Sequence, residues 1–171
     1  WYGPDGRNST VSAFEGGYTG YYLRKFMDPS KDGQYQDIAQ DTPWRHIRYA
    51  EILLNYAEAC IELGEYDEAK TYLNKIRKRA GMPDITTTGK NLRESCRHER
   101  RIELAFEDHR MWDVRRWAIG SQVYKPVHGV TIIYKMDPTT HNTAEIPTIT
   151  PYEFEKRAWL DKAYFYPIPR T

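Results

Sequence analysis

No stretch of this sequence approaches the roughly 18 consecutive apolar residues that a membrane-spanning helix needs, and no charged lead-in followed by an apolar run marks a secretory leader. Cysteine is scarce. Cys60 and Cys96 are too far apart in the chain for a metal knuckle, and both fall in helical patterns, where the plainer reading is two small buried hydrophobes. They do not identify a compartment. An excess of either charge is missing as well: 25 Lys and Arg face 24 Asp and Glu, a formal net charge of +1, which argues against a generic polyanion binder. Nucleotide loops of the G-x-x-x-x-G-K-[ST] or G-x-G-x-x-G type and the G-x-S-x-G elbow are absent, so standard phosphate cradles and nucleophile elbows have no support.

What the chain has in quantity is aromatic surface with polar handles. Fourteen of its 171 residues are tyrosine, against a mean hydropathy of −0.80, a combination that suits wet amphipathic contacts. The length suits one domain able to bury a core without disulfide staples. The chain begins at Trp1 and not at a methionine, and the expectation drawn from this is a fragment of a longer protein.

From Trp1 to Asp41 the turn clusters WYGPDGRNS and DPSKDGQ dominate, with GYYLRKF as a possible short strand. Thr42 then offers a helix N-cap and Pro43 a first helical residue. Ile47, Ala50, Leu54, Ala57 and Ile61 follow at three- and four-residue steps, with Leu53, Tyr56, Cys60 and Leu63 on an adjoining stripe. This predicts a helix packed on more than one side. Gly64 ends it, and Tyr66, Ala69, Leu73, Ile76 and Ala80 predict a second helix, acidic at its start (Asp67, Glu68), basic at its end (Lys75, Arg77, Lys78, Arg79) and stopped by Gly81 and Pro83. The pair reads as a tetratricopeptide-type hairpin, and one copy cannot bury its own face.

A third helix is expected from about Lys90 to Phe106, with Leu92, Cys96, Glu99, Ile102 and Phe106 on one face, and a fourth from about Arg110 to Ala118. Glu99 in that stripe needs a partner. Beyond Gly120, VTIIYKM and YFYPIP read as strand-like runs separated by DPTTHNTAEIPTITP, giving a hairpin and extended segments.

Three local patterns come near a chemical site. HERRI opens like the zinc-protease H-E-x-x-H, but Ile102 stands where the second histidine belongs. DPSKDG, from Asp28 to Gly33, opens like a calcium loop, but Ala39 stands where a bidentate Glu is required. His46, His98, His109, His128 and His141 are dispersed, without an evident partner for catalysis.

The third pattern is RHERRIELAFEDHRMWDVRRW, Arg97 to Trp117. Its arginines could contact phosphates and its tryptophans stack on bases, but nearly every arginine has an acid within one turn: Arg97 with Glu94, Arg100 with Glu103, Arg110 with Glu107, Arg116 with Asp113. The reading adopted is a structural ion network, made of Glu99, Arg100, Glu103, Arg110, Asp113 and Arg116, which locks short helices against the hairpin. Trp44, Trp112, Trp117 and Trp159 are read as packing anchors.

Three blocks in order, RYAEILLNYAEACIELGEYDEAKTYLNKIRKRAGMP, LRESCRHERRIELAFEDHRMWDVRRW and YFYPIP, make the chain from about Arg48 to Pro169 resemble the SusD/RagB family of outer-membrane nutrient-binding lipoproteins from Bacteroidetes. The resemblance implies a mainly α, SusD-like C-terminal part with three portions: residues 1–42, loop-rich and ligand-facing; 43–119, the helical core; and 120–171, a β-hairpin and extended tail. It implies a non-catalytic protein without cofactor or metal that captures oligosaccharides or other nutrients at the cell surface for a SusC-like TonB-dependent transporter. It also implies an acylated cysteine upstream, since Cys60 and Cys96 do not match a lipid site.

In such a protein the arginine–acid block is framework and aromatic loop residues hold the ligand. Trp1, Tyr2, Asp5, Arg7 and Asn8 have the composition to stack on a sugar ring and bond its hydroxyls, with Tyr18, Tyr21 and Tyr35 as further candidates. No family motif fixes them. A helical-repeat adaptor that binds a protein or peptide in its groove is the alternative suggested by the hairpin alone.

Overall fold

The computed structural model describes residues 19, 21, 23–26, 43–133, 139 and 147–165. The chain divides into two compact units, Trp44–Trp117 and a second made of Trp1–Pro43 with Ala118–Thr171.

In the first unit the three- and four-residue apolar steps become helices α1 (Tyr49–Leu63), α2 (Tyr66–Arg79) and α3 (Gly89–Glu103), followed by a short α4 (Arg110–Arg116). The α1 stripe packs on two sides: Leu53, Leu54, Ala57, Cys60 and Ile61 meet Ala69, Leu73 and Ile76 of α2, and Leu92 and Cys96 of α3, with Leu104 joining from the turn beyond α3. Leu54, Leu73 and Leu92 are fully enclosed, and each such side chain contributes roughly 1.5–3 kcal/mol by leaving water.

Glycine sets both helix ends of the hairpin. Gly64 has φ +83°, and its N–H donates to the Ile61 carbonyl while that of Glu65 reaches back to the Cys60 carbonyl. The same double closure recurs after α2. Gly81 has φ +69°, its N–H donates to Lys78, and Met82 N–H donates to Arg77.

Two expectations for these helices are corrected. The first helix starts at Tyr49, not beside Pro43. Arg48 is extended at φ −142°, ψ 159°, and its side chain leaves sideways to the turn after α3, while Ile47 is 72% exposed. The third helix stops at Glu103, so Phe106 (67% exposed) leaves the expected apolar face, while Ile102, still helical, turns outward at 60% exposed. Its buried stripe is Leu92, Cys96, Glu99 and Arg100. The helix ends there because the turn beyond it places Phe106 and Asp108 both at φ +62°, in the left-handed region.

The described part of the second unit holds a short helix α5 (Gly120–Val123), strands β1 (Val127–Ile133) and β2 (Thr148–Glu155), and a 3-10 turn at Asp161–Tyr164. The strands pair antiparallel, with Ile132 opposite Ile149 and Val130 opposite Pro151. Val130 donates its N–H to the Thr19 carbonyl, away from β2, so the Val130–Pro151 pair is a non-hydrogen-bonded one. Proline's missing donor costs nothing at that position. This is why a strand runs through TITPYEFE, part of which reads as a spacer in the sequence. YFYPIP departs from the strand-like reading at its start, where Tyr164 closes the 3-10 turn; residues 166–171 lie outside the described set.

Trp159 anchors this unit. Its ring lies between Tyr124 and Tyr164, at centroid distances of 4.9 and 4.8 Å, and over Gly120, where a Cβ would come within 2.0 Å of it.

Candidate functional site

Polar residues recur along α1 and the residue before it at 48, 51, 55, 58 and 62, the same three- and four-residue steps as the apolar stripe. Each finds a partner far along the chain. Arg48 Nε donates to Glu107 Oε2 at 2.6 Å and Nη1 to Glu103 Oε1 at 2.6 Å, while Nη2 donates to the Glu103 carbonyl. Glu51 Oε2 lies 3.6 Å from His109 Nε2. Asn55 Oδ1 accepts from Arg100 Nη1 at 2.7 Å. Glu58 receives both Arg116 Nη atoms at 2.7 and 2.6 Å, and Trp117 Nε1 at 2.7 Å. Glu62 takes a bidentate Arg93 at 2.7 and 2.8 Å.

The deepest member of this seam is Asp113, 2% exposed, which accepts from Arg100 Nε at 2.8 and 2.9 Å and from Arg116 Nε at 2.9 Å. Arg100 is itself 6% exposed, so this pair is desolvated on both sides. Glu99, in the apolar stripe, is held by Arg77 Nη1 at 2.7 Å, and Arg77 Nε donates to the Pro83 carbonyl. Arg79 adds a second cation to Glu103. Trp117 carries the Arg97 and Arg116 guanidinium groups over its ring at 4.9 and 4.6 Å.

Burial and pairing compete at each of these charges. Burial opposes the charged form of Arg48, but its bonds to Glu107 and Glu103 hold the guanidinium above its ordinary pKa. Arg116 is raised in the same way, against burial, by Glu58 and Asp113. Burial alone would raise Glu58; bonds from Arg116 and Trp117 outweigh it and lower it. Arg110 differs. Burial lowers its pKa, Arg101 lowers it further, and Asp113 only partly opposes them.

Of the residues assigned to the ion network, Glu99, Arg100, Asp113, Glu103 and Arg116 pair across helices. Two partner choices read from local spacing are corrected. Arg100 binds Asp113 and Asn55, not Glu103, and Glu107 binds Arg48, not Arg110. In both cases a partner from another element takes the place of the one a turn away. Arg97 does bond Glu94, at 3.3 Å. Local reasoning missed Arg48, Asn55 and Glu58; the signal that finds them is the polar stripe on α1 and the residue before it.

Tyr21 is 62% exposed, and its N–H donates to Thr19 Oγ1 at 3.4 Å. Trp1, Tyr2, Asp5, Arg7, Asn8, Tyr18, Tyr35 and the DPSKDG turn lie outside the described residues. Trp44 and Trp112, expected as packing anchors, stand about half exposed.

Trp112 lines a pocket of about 310 Å³ with Leu104, Phe106, Asp108, Arg110 and Met111, at the turn joining α3 to α4. Phe106 and Asp108 flank Glu107 there, and a left-handed conformation at a non-glycine residue costs roughly 1–3 kcal/mol. Buried Leu104 on one side, and the Arg48–Glu107 pair in the middle, hold that turn in place.

A model of the SusD family matches residues 1–171. The SusD-like protein P2 of Formosa agariphila is 38% identical over 90 residues, covering 47% of this chain and 18% of that protein. The crystal structure of a SusD-like protein from Bacteroides fragilis is 40% identical, covering 74% of this chain and 23% of that one, with a TM-score of 0.62. A SusD-like carbohydrate binding protein from the same species is 33% identical over 72% of this chain and 26% of its own, with a TM-score of 0.52. The matched stretch spans about a fifth of the length of the curated relatives.

Proposed function

Starting from the premise that this chain belongs to the SusD/RagB family, we propose that it is part of a non-catalytic cell-surface protein that captures oligosaccharides and passes them to a TonB-dependent outer-membrane transporter. The observation that carries the reading is the family match along the whole chain, 1–171. The ion seam is consistent with it. Glu99, Glu103 and Asp113, the acids nearest in type to catalytic carboxylates, are each held by one or two guanidinium groups and serve as framework.

In this reading Trp44–Trp117 is framework and recognition belongs to aromatic residues of the loop-rich segment 1–42. A sugar ring presents a C–H face that stacks on an indole or phenol, and its hydroxyls need a few polar neighbours. Trp1, Tyr2, Asp5, Arg7, Asn8, Tyr18, Tyr21 and Tyr35 are the proposed ligand-facing set. In the same reading, family membership makes the protein a lipid-anchored one at the cell surface.

The test is native affinity electrophoresis in gels that contain single plant, host or microbial polysaccharides, with Trp1→Ala, Tyr2→Ala and Tyr21→Ala run beside the parent. Retardation by one polysaccharide, weakened by these substitutions, is the expected result. Absence of retardation across the panel, together with failure to co-purify with a transporter, would overturn the reading.

A further inference from the structure

Arg110 differs from Arg97, Arg100 and Arg116 of its block, and from Arg48 and Arg77 beyond it. Arg48, Arg77, Arg97, Arg100 and Arg116 each donate to a carboxylate within 3.3 Å. Among the described residues, half-buried Arg110 donates to no carboxylate and no carbonyl, although desolvation makes an uncompensated charge costly there. It lines the pocket at the α3–α4 turn.

The rest of that pocket has a definite chemistry. Phe106, Trp112 and Met111 supply exposed apolar surface, buried Leu104 a floor, and Asp108 an exposed carboxylate that accepts hydrogen bonds from hydroxyls. At about 310 Å³ it lies at the small end of the range for ligand sites, about 300–1,000 Å³, with room for one sugar ring. The turn is also built against backbone preference: Phe106 and Asp108, both pocket-lining, are the residues at φ +62°. Such strain concentrates at functional sites.

We propose that this pocket is a subsite for an anionic sugar residue, whose carboxylate or sulfate is taken by the Arg110 guanidinium while its ring lies against Trp112 and Phe106. A planar guanidinium matches either anion in a bidentate fashion, and an acidic saccharide also offers hydroxyls to Asp108 and a C–H face to the rings. Arg101 adds positive potential, and Asp113 is committed to Arg100 and Arg116. The inference deepens the glycan-capture reading and rests on it.

The experiment is calorimetric titration of the full chain with oligogalacturonate, its methyl ester, a sulfated galactan oligosaccharide and the desulfated form, at low and high salt. The acidic member of at least one pair binds about tenfold more tightly than its neutral counterpart, the margin of a charge-assisted over a neutral hydrogen bond, and that margin shrinks with salt. Arg110→Gln abolishes the preference, and Phe106→Ala weakens both members of the pair. The uronate and sulfate arms identify which anion is read.

Equal affinity for acidic and neutral members in the unsubstituted protein overturns the subsite, independently of how any variant folds, and leaves glycan capture standing. An acid preference that survives in folded Arg110→Gln overturns it as well. No binding to any of the four overturns the subsite, and with a negative electrophoresis panel the capture reading falls too.

Discussion

Substituting Asp113 by asparagine separates a seam that holds the helices together from one that merely decorates them. Asp113 is the most deeply placed charge described, 2% exposed, with two arginine Nε donors on its oxygens. Asparagine keeps the shape but removes the charge, leaving Arg100, 6% exposed, without its counter-ion. Breaking one side of a buried pair costs about 3–5 kcal/mol, because the surviving charge stays desolvated. The control is Glu62→Gln, which breaks the more exposed pair with Arg93 (side chains 52% and 38% exposed) and costs roughly 0.2–1 kcal/mol. Urea unfolding followed by tryptophan emission should show the first variant several-fold more destabilised than the second. For a unit of this size the predicted loss in Tm is at least about 12 °C. Arg100→Met combined with Asp113→Leu should recover much of it, since an apolar pair removes the stranded charge. If Asp113→Asn unfolds within about 1 kcal/mol of the parent, or if the double variant is no better, the seam does not hold α4 and the argument fails.

Three further outcomes follow from the same structure. Gly64→Ala should lose about 1–2 kcal/mol in chemical unfolding from conformation alone, because φ is +83° and a Cβ there meets nothing within 4 Å. Glu58 has a folded pKa depressed below its unfolded value of about 4.3, so its contribution is present above that pH and lost as pH falls through the folded value. Urea midpoints measured from pH 7 down to pH 3 should therefore decline less steeply in Glu58→Gln, from a lower start. Burial, helped by the charge of Glu58, pushes the Cys96 thiol up to about 12, so at pH 8 its alkylation by iodoacetamide should be on the order of a thousandfold slower in the native than in the urea-unfolded chain, as read by peptide mass.

The hairpin was legible in the sequence because its determinants are local. Spacing by three and four places Leu54, Ala57, Ala69 and Leu73 together, and Gly64 and Gly81 close helices whatever lies around them. The choice of ion partners was not legible, since Arg100 has Glu103 one turn away and takes Asp113 and Asn55 instead, the latter 45 positions back. Sequence distance ranks such partners by local entropy, whereas the fold ranks them by burial and geometry. Phe106 was misplaced for a related reason: helical spacing continues through it, and only the left-handed backbone there takes it off the core. β2 was obscured by Pro151, whose register shows why it is tolerated.

The same seam explains how a strained turn can be kept. Two left-handed non-glycine residues within three positions would normally relax toward a more favourable backbone, and Glu107 between them is what prevents it, through Arg48. Arg48 in turn binds Glu103 by side chain and carbonyl, so both ends of the turn are fixed to the start of α1. Arg48→Ala should therefore disturb the α3–α4 turn before it disturbs the Leu54–Leu73 core. Hydrogen exchange is expected to rise first at the amides of Ala105 and Glu107, which donate to Ile102 and Leu104, while α2 amides keep their protection. Uniform loss of protection across α1, α2 and α3 would mean that the seam and the core unfold as one, and that the turn has no separate anchor.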